Sequence, residues 1–498
     1  MKYSAVLLGS MALSASAFPA VMEMSNAILK ARDLEQAAEL HKRAEEEKRQ
    51  LPDPTAAQAL SKARGNCGVV DCLVFNAQEQ YVSNTGEHAY ASPAADEIRG
   101  PCPGLNAAAN HGYISRSGIL TIENTIEGLG AAYGMSVDLA GFLAAYGIIF
   151  DGDPVAGTWS IGGPLPTNQI TKGLLGQGQG ISWSHNLYEG DSSIARPDAY
   201  LNNGDAHSLD VERFKDAYAA TDSRYPGRYT LDSFAQNFAK KSEESVATNP
   251  YFFAAPFSTT LVSPAAYNFV INFMSNHTAE EPNGYLDGEQ FKTFFAIEGD
   301  SPDNFKWLPG QERIPDNWYR RTSTNQYNAA NVFTDLIPQF LAYPSSFKLG
   351  GNVNGVNTYA GISLTDFTGG AYNLTTLLDP KGTQGACFLA QVAQFGIPDF
   401  ANLPLQQITP VTNLINNFLK PITGDLSCPE VGKFDQTLFN LKSPPAPFKT
   451  VQKELISCRL PRTHLPTNRP RHQLLDGRWS QRPLDSRLEV RWEDSDVC

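Results

Sequence analysis

Several things that this sequence lacks narrow its function first. Among 498 residues there are 39 Lys and Arg against 52 Asp and Glu, a formal net charge of -13. With no basic excess to neutralise a phosphate backbone, nucleic acid is excluded as the expected partner. No uninterrupted apolar run reaches bilayer length; the nearest, 135–150, carries Asp138 and many Gly and Ala. There is no internal repeat, so solenoids and propellers are excluded. Cysteine is scarce, with seven in all, and an odd number leaves at least one unpaired in an oxidising compartment.

What is present begins with a leader. Lys2, the apolar stretch 5–13 and the small residues Ala15-Ser16-Ala17 read as a secretory signal over residues 1–17, and hence a secreted chain. Residues 18–65 follow as a charged helical pro-segment or linker. Within them Leu29, Leu34, Ala37, Ala38 and Leu40 recur at helical spacing, and the charges are mixed in sign. A solvated helix and a removable segment both fit. Asn276-His-Thr278 and Asn373-Leu-Thr375 are N-glycosylation acceptors if the chain is secreted. Cys67 and Cys72 are near enough to close a small local loop. The apolar positions of 117–150 recur with helical period. A late helix is expected over 331–341, kinked or ended by Pro338.

The most informative stretch is Arg99-Gly-Pro-Cys-Pro-Gly-Leu-Asn106, continuing through Asn110-His-Gly-Tyr113 to Gly118. Cys102 lies between two prolines, which fix their own φ and donate no backbone hydrogen bond. Pro103 suits a first helical position, and 105–111 suits the helix that follows. A sulfur at a helix N-terminus meets backbone N–H donors and the positive end of the dipole, both expected to lower its pKa. The plainer alternatives are a small buried hydrophobe or half of a disulfide.

Pro101-Cys-Pro-Gly-Leu-Asn106 with Asn110-His-Gly-Tyr113 closely resembles the proximal loop of the fungal haem-thiolate peroxidases, the chloroperoxidases and unspecific peroxygenases. The resemblance covers 66–442. It implies a mainly α, single helical haem-thiolate peroxidase domain with long loops, enclosing haem b with Cys102 as its axial iron ligand. It also implies a C-terminal disulfide between Cys387 and Cys428, while Cys458 and Cys498 carry no pairing expectation. Residues 443–498 change character, rich in Arg and Pro with little apolar periodicity, and read as a disordered tail.

A second motif, Glu189-Gly-Asp-Ser-Ser-Ile-Ala-Arg196, resembles the segment that binds magnesium beside a haem propionate in this family. Carried over residue by residue, the ligands are the Glu189 carboxylate, the Gly190 carbonyl and the Ser193 hydroxyl. They are the hard oxygen donors that magnesium prefers. Tyr188 falls where the family often has an aromatic over the haem. His111, His185 and His207 are expected to be structural.

The distal side departs from the family. Long peroxygenases place an Arg and a Glu about two helical turns apart on one helix. The corresponding positions fall near Ser258 and Ala265, and neither carries that chemistry. Three explanations are open. The hydroxyls of Ser258, Thr259 or Thr260 relay protons through water; or Glu280, Glu281 or Glu289 reaches the pocket; or O–O cleavage is slow. The expected function is a peroxidase or peroxygenase using hydrogen peroxide to oxidise small organic, aromatic substrates, with a role in fungal secondary metabolism. The competing readings are a haem-binding protein with little catalysis and a haem-free, disulfide-stabilised binding protein.

Overall fold

The structure, a computed structural model, describes residues 34–51, 65–68, 71–154, 156–166, 178–352 and 359–378, with a few positions between 384 and 438. The expected signal sequence and the Arg-rich tail lie outside the described residues. The described chain is mainly α, with strands of only two or three residues. Among the described residues no helix is long and apolar enough to cross a membrane.

Caps written into the sequence start most helices. Thr121 accepts the Asn124 N–H at 3.2 Å and opens Ile122–Tyr133. Thr230 and Ser233 form a reciprocal capping box before Leu231–Thr248. Asn328 and Asn331 do the same before Ala329–Ala342. That last helix continues past Pro338, so of the two expected outcomes the proline does not end it. Proline costs it one ladder bond, but Leu336, Ile337, Phe340 and Leu341 are buried on either side, so packing outweighs the loss.

Val137–Phe150 is apolar nearly all round and almost wholly buried, as a central helix must be. It packs against Ile122–Tyr133 and against the short strand Thr158–Ser160, which pairs antiparallel with Ile119–Thr121. The helix Ser263–Met274 lies among Pro103–Asn110, Leu231–Thr248, Gly288–Phe294 and Ala329–Ala342. It is preceded by a π-turn over Ser258–Val262, in which the Thr260 N–H reaches the Ala255 carbonyl at 3.0 Å and the Val262 N–H the Phe257 carbonyl at 2.9 Å. Such wide turns commonly mark functional positions.

The N-terminal helix Leu34–Arg49 is not a free-standing charged rod. Leu40, Ala44 and Glu47 are buried at helical spacing, and the helix packs on strand Ala360–Gly361. Glu47 caps two other helices at once. One oxygen accepts the Leu364 N–H at 2.9 Å; the other accepts the Leu374 N–H at 2.8 Å and the Thr365 hydroxyl at 3.0 Å. Ala360–Gly361 pairs with Gly350–Gly351, which pairs with Phe253–Ala254 just before the π-turn. Glu47→Ala leaves two helix-start N–H groups unmet and is expected to destabilise the protein by about 3 kcal/mol. Thermal unfolding of the full chain checks this, and an unchanged midpoint would show the helix to be undocked in solution.

Two disulfides are present among the described residues, Cys67–Cys72 and Cys387–Cys428, while Cys102 is free. Cys67–Cys72 closes the local loop that the spacing allows, and Cys387–Cys428 is the pair that the resemblance implies.

Candidate functional site

Cys102 is the residue before helix Pro103–Asn110, in extended conformation. Its loop is held from several directions. The Asn106 amide donates to the Gly100 carbonyl and accepts the Gly100 N–H, both at 2.9 Å. Arg196 Nε donates to the Pro101 carbonyl at 3.0 Å, and the Tyr133 hydroxyl donates to the Gly104 carbonyl at 2.7 Å. Position 100 has to be glycine, because a Cβ there would lie 2.0 Å from the Ile161 carbonyl oxygen. The sulfur is thus fixed by side chains up to 94 positions away in sequence.

The expected lowering of the Cys102 pKa is not what the surroundings produce. Burial pushes the thiol up, outweighing the downward pull of the Leu105 and Gly104 N–H groups and of the Arg196 guanidinium. The helix N-terminus alone does not ionise this sulfur; a cation bound to it would.

Cys102 opens onto a cavity of about 220 Å³. The walls are overwhelmingly apolar, with Leu105, Leu129, Val262, Phe269 and Val270 among them. A few polar groups break them: Thr125, Glu189, Ser193, Arg196 and Ser263. The cavity brings together both sequence motifs, since Cys102, Tyr188, Glu189, Gly190 and Ser193 all line it. Tyr188 stands within an aromatic group, its ring 5.7 Å from that of Tyr146 and 6.4 Å from that of Trp159.

Arg196 closes the second motif, and its sequence position alone assigns it no role. Its side chain is buried, lies over the Trp307 ring at 5.6 Å and lines the cavity. Both terminal guanidinium nitrogens lack a hydrogen-bond partner among the described residues. A buried guanidinium left with free donors calls for an anion.

Around Glu189 the chain turns tightly, with Asn186 at φ 62° and Ser192 at φ 67°. His185 Nδ1 lies 3.0 Å from a Glu189 oxygen, and Nε2 lies 3.6 Å from Asp191. Burial pulls the His185 pKa down, but Glu189 and Asp191 outweigh it and raise it to about 9. Asp191 is pushed up by burial and by Asp198. The Asn249 amide bridges these two carboxylates, at 3.0 Å and 3.2 Å. Gly190 is the second glycine that the site requires, as a Cβ there would meet the Thr259 hydroxyl at 2.3 Å.

The three hydroxyls of the π-turn do not line the cavity. Thr260 donates to the Lys348 and Ala255 carbonyls, at 2.7 Å and 3.0 Å. Thr259 lies one layer back, against Gly190, near Asn186 Oδ1 at 3.4 Å and the Phe253 carbonyl at 3.3 Å. The Ser258 hydroxyl is buried without a partner among the described residues. The wall residues from this region are Val262, Ser263 and Ala266. Sequence reasoning missed Ser263, whose hydroxyl donates to the Asp191 carbonyl at 3.2 Å. None of the alternative acids reaches the cavity: Glu281 pairs with Arg228, Glu289 pairs with Lys292, and Glu280 is exposed. His111 is structural, with Nδ1 2.8 Å from the His88 carbonyl and Nε2 accepting the Ile314 N–H at 3.2 Å.

Comparison with known proteins agrees with this geometry. The family described as Peroxidase, family 2 matches residues 88–323, which contain both motifs and the π-turn. A dothistromin biosynthesis peroxidase of Dothistroma septosporum is 34% identical over 440 residues, 88% of this chain and 96% of that protein. An aromatic peroxidase of Fusarium equiseti is 37% identical over 365 residues, 72% of this chain and 82% of its own. An aromatic peroxygenase of Coprinellus radians is 31% identical over 226 residues, 45% of this chain and 83% of that protein.

Proposed function

This chain belongs to peroxidase family 2, the fungal haem-thiolate peroxidases, and from that premise we propose that Cys102 holds its haem iron and that its organic substrate is an aromatic compound of fungal secondary metabolism. The enzyme is a peroxide-dependent oxidoreductase, and its family implies haem, hydrogen peroxide and an organic substrate. The names of the relatives support the aromatic substrate and the setting. The observation that carries the ligand assignment is the free Cys102 thiol opening onto an apolar cavity that Arg196 also lines.

The residues fit the cofactor. Apolar walls suit a porphyrin, Arg196 suits a propionate, and the loop around Cys102 keeps one sulfur aimed into the cavity. Haem bound through a thiolate supplies the redox chemistry, because electron density pushed from sulfur favours cleavage of the peroxide O–O bond. The protein's part is to hold the sulfur, exclude bulk water and move protons.

Magnesium at Glu189, Gly190 and Ser193 belongs to the same proposal. All three line the cavity, and the His185 contact would orient the carboxylate as an outer-shell donor does. For proton delivery, which would have to pass through water, the π-turn hydroxyl we favour is that of Thr259, packed behind the cavity residue Gly190. Thr259→Val should slow peroxide consumption about 10-fold or more with haem content unchanged. Thr260→Val should cost stability instead, since its hydroxyl is engaged by two backbone carbonyls. Equal peroxide rates in wild type and Thr259→Val would remove the relay.

Secretion and glycosylation complete the proposal. The Asn373 side chain caps a helix by accepting the Thr376 N–H at 2.9 Å, and the Asn276 side chain accepts the Tyr319 N–H at 2.9 Å. Both carbonyl oxygens are therefore engaged, while glycan attachment uses the amide nitrogen. The decisive test of the whole reading is the absorption spectrum of the reduced protein with carbon monoxide. The red-shifted Soret band of a thiolate–haem–CO complex is expected, and a histidine-type spectrum would overturn the Cys102 assignment.

A further inference from the structure

Away from the haem cavity, Cys67, Cys72 and His277 form a buried cluster. Their ligating atoms all lie within 4.8 Å of one another, and each residue is no more than 1% exposed. The tautomer of His277 follows from its contacts. Nδ1 lies 2.8 Å from the Pro282 carbonyl, which can only accept, so Nδ1 carries the proton. Nε2 is therefore a bare lone pair. It is buried and has no hydrogen-bond partner among the described residues. Disulfide sulfurs have no proton to offer it, so the oxidised cluster leaves a buried acceptor unmet.

We infer that Cys67, Cys72 and His277 form a binding site for a thiophilic divalent cation such as zinc once the Cys67–Cys72 disulfide is reduced. Two thiolates and one imidazole are a familiar zinc donor set, with water completing the tetrahedron. A histidine ligand that donates its other ring N–H to a backbone carbonyl is the arrangement that fixes ring orientation in such sites. The imidazole is further held by Gly284 at φ +76°, where an added Cβ would lie 2.8–3.1 Å from the ring atoms.

The ligands do not rely on the S–S bond to stay together. Arg321 donates to the Cys67 carbonyl at 3.2 Å, and the Cys72 N–H donates to the Asn283 side chain at 2.7 Å. The chemistry balances with an external dithiol as reductant. It gives two electrons and two protons to the Cys67–Cys72 bond and becomes a disulfide itself. The two thiols then release two protons to water as two metal–sulfur bonds and one metal–nitrogen bond form. Disulfide and metal site are alternative states of the same three residues.

The test uses the full-length holoenzyme, reduced with a dithiol, desalted without oxygen and titrated with zinc sulfate. One more zinc per chain is expected in the reduced wild type than in either the oxidised wild type or a Cys67→Ser/Cys72→Ser variant. That variant keeps the Cys387–Cys428 pair as an internal control. His277→Gln should weaken the site about 10-fold or more. Equal zinc in reduced wild type and the double serine variant would overturn the proposal. Zinc-edge X-ray absorption of the wild type gives a reading that does not depend on any variant folding. Two sulfur neighbours are expected, and a shell of oxygen and nitrogen alone would overturn the site.

Discussion

Cys102→Ala is expected to yield folded protein that has lost its haem. The sulfur belongs to neither disulfide, so both covalent links survive the change, and alanine leaves the flanking prolines and the Asn106 clamp in place. What disappears is the one metal-ligating thiol that the described residues present to the cavity. Outer-shell changes at metal sites already cost up to about 100-fold in affinity, so loss of the axial ligand should cost at least that. Haem content, the CO-complex spectrum and a folding probe are measured together. Retained haem with the thiolate spectrum would refute the assignment, whereas loss of fold along with haem would redirect the question to packing. Asn106→Ala provides the graded companion. It removes two hydrogen bonds of 2.9 Å to Gly100, and should loosen the loop and lower haem occupancy without abolishing it.

The sequence made the proximal side legible because its chemistry is local. Cys102, two prolines and Asn106 lie within six positions, and the loop they form is determined by those residues. The motif from Glu189 to Arg196 is equally local, and the structure brings it to the same cavity. The role of Arg196 was not legible. Its significance lies in two unpartnered nitrogens, and nothing in a linear sequence shows which donors go unmet once 94 intervening residues have folded. The placement of the distal hydroxyls was not legible for a related reason. A π-turn shifts every side chain by a fraction of a helical turn, so counting at ordinary helical spacing misplaces Ser258–Thr260 relative to the cavity. The same holds for the N-terminal helix. Its mixed charges read as a solvated surface, yet the buried Glu47 acts as an acceptor for helix starts more than 300 residues away.

Glu189→Gln should empty the proposed magnesium site while leaving the cavity shape intact, because the side chain is isosteric and only the charge is lost. A hard dication held by one carboxylate, one carbonyl and one hydroxyl depends mainly on that carboxylate, so metal content should fall by about 10-fold or more. Haem should bind more loosely in consequence, through the propionate the cation would screen. Metal analysis reads the first effect, and unchanged magnesium would refute the site. A second readout comes from His185. Its folded-state pKa of about 9 lies above the ordinary value of 6.5 chiefly because Glu189 and Asp191 overcome the cost of burial. A raised pKa contributes stability that is fully present below about 6.5 and is lost as pH rises through 9. In metal-stripped protein, Glu189→Gln takes away one of the two opposing carboxylates. Its deficit in unfolding midpoint against wild type should therefore be largest at pH 6 and shrink toward pH 9. A deficit that stays constant across that range would show that His185 and Glu189 are not coupled in solution, and the carboxylate would then be free to serve the cation alone.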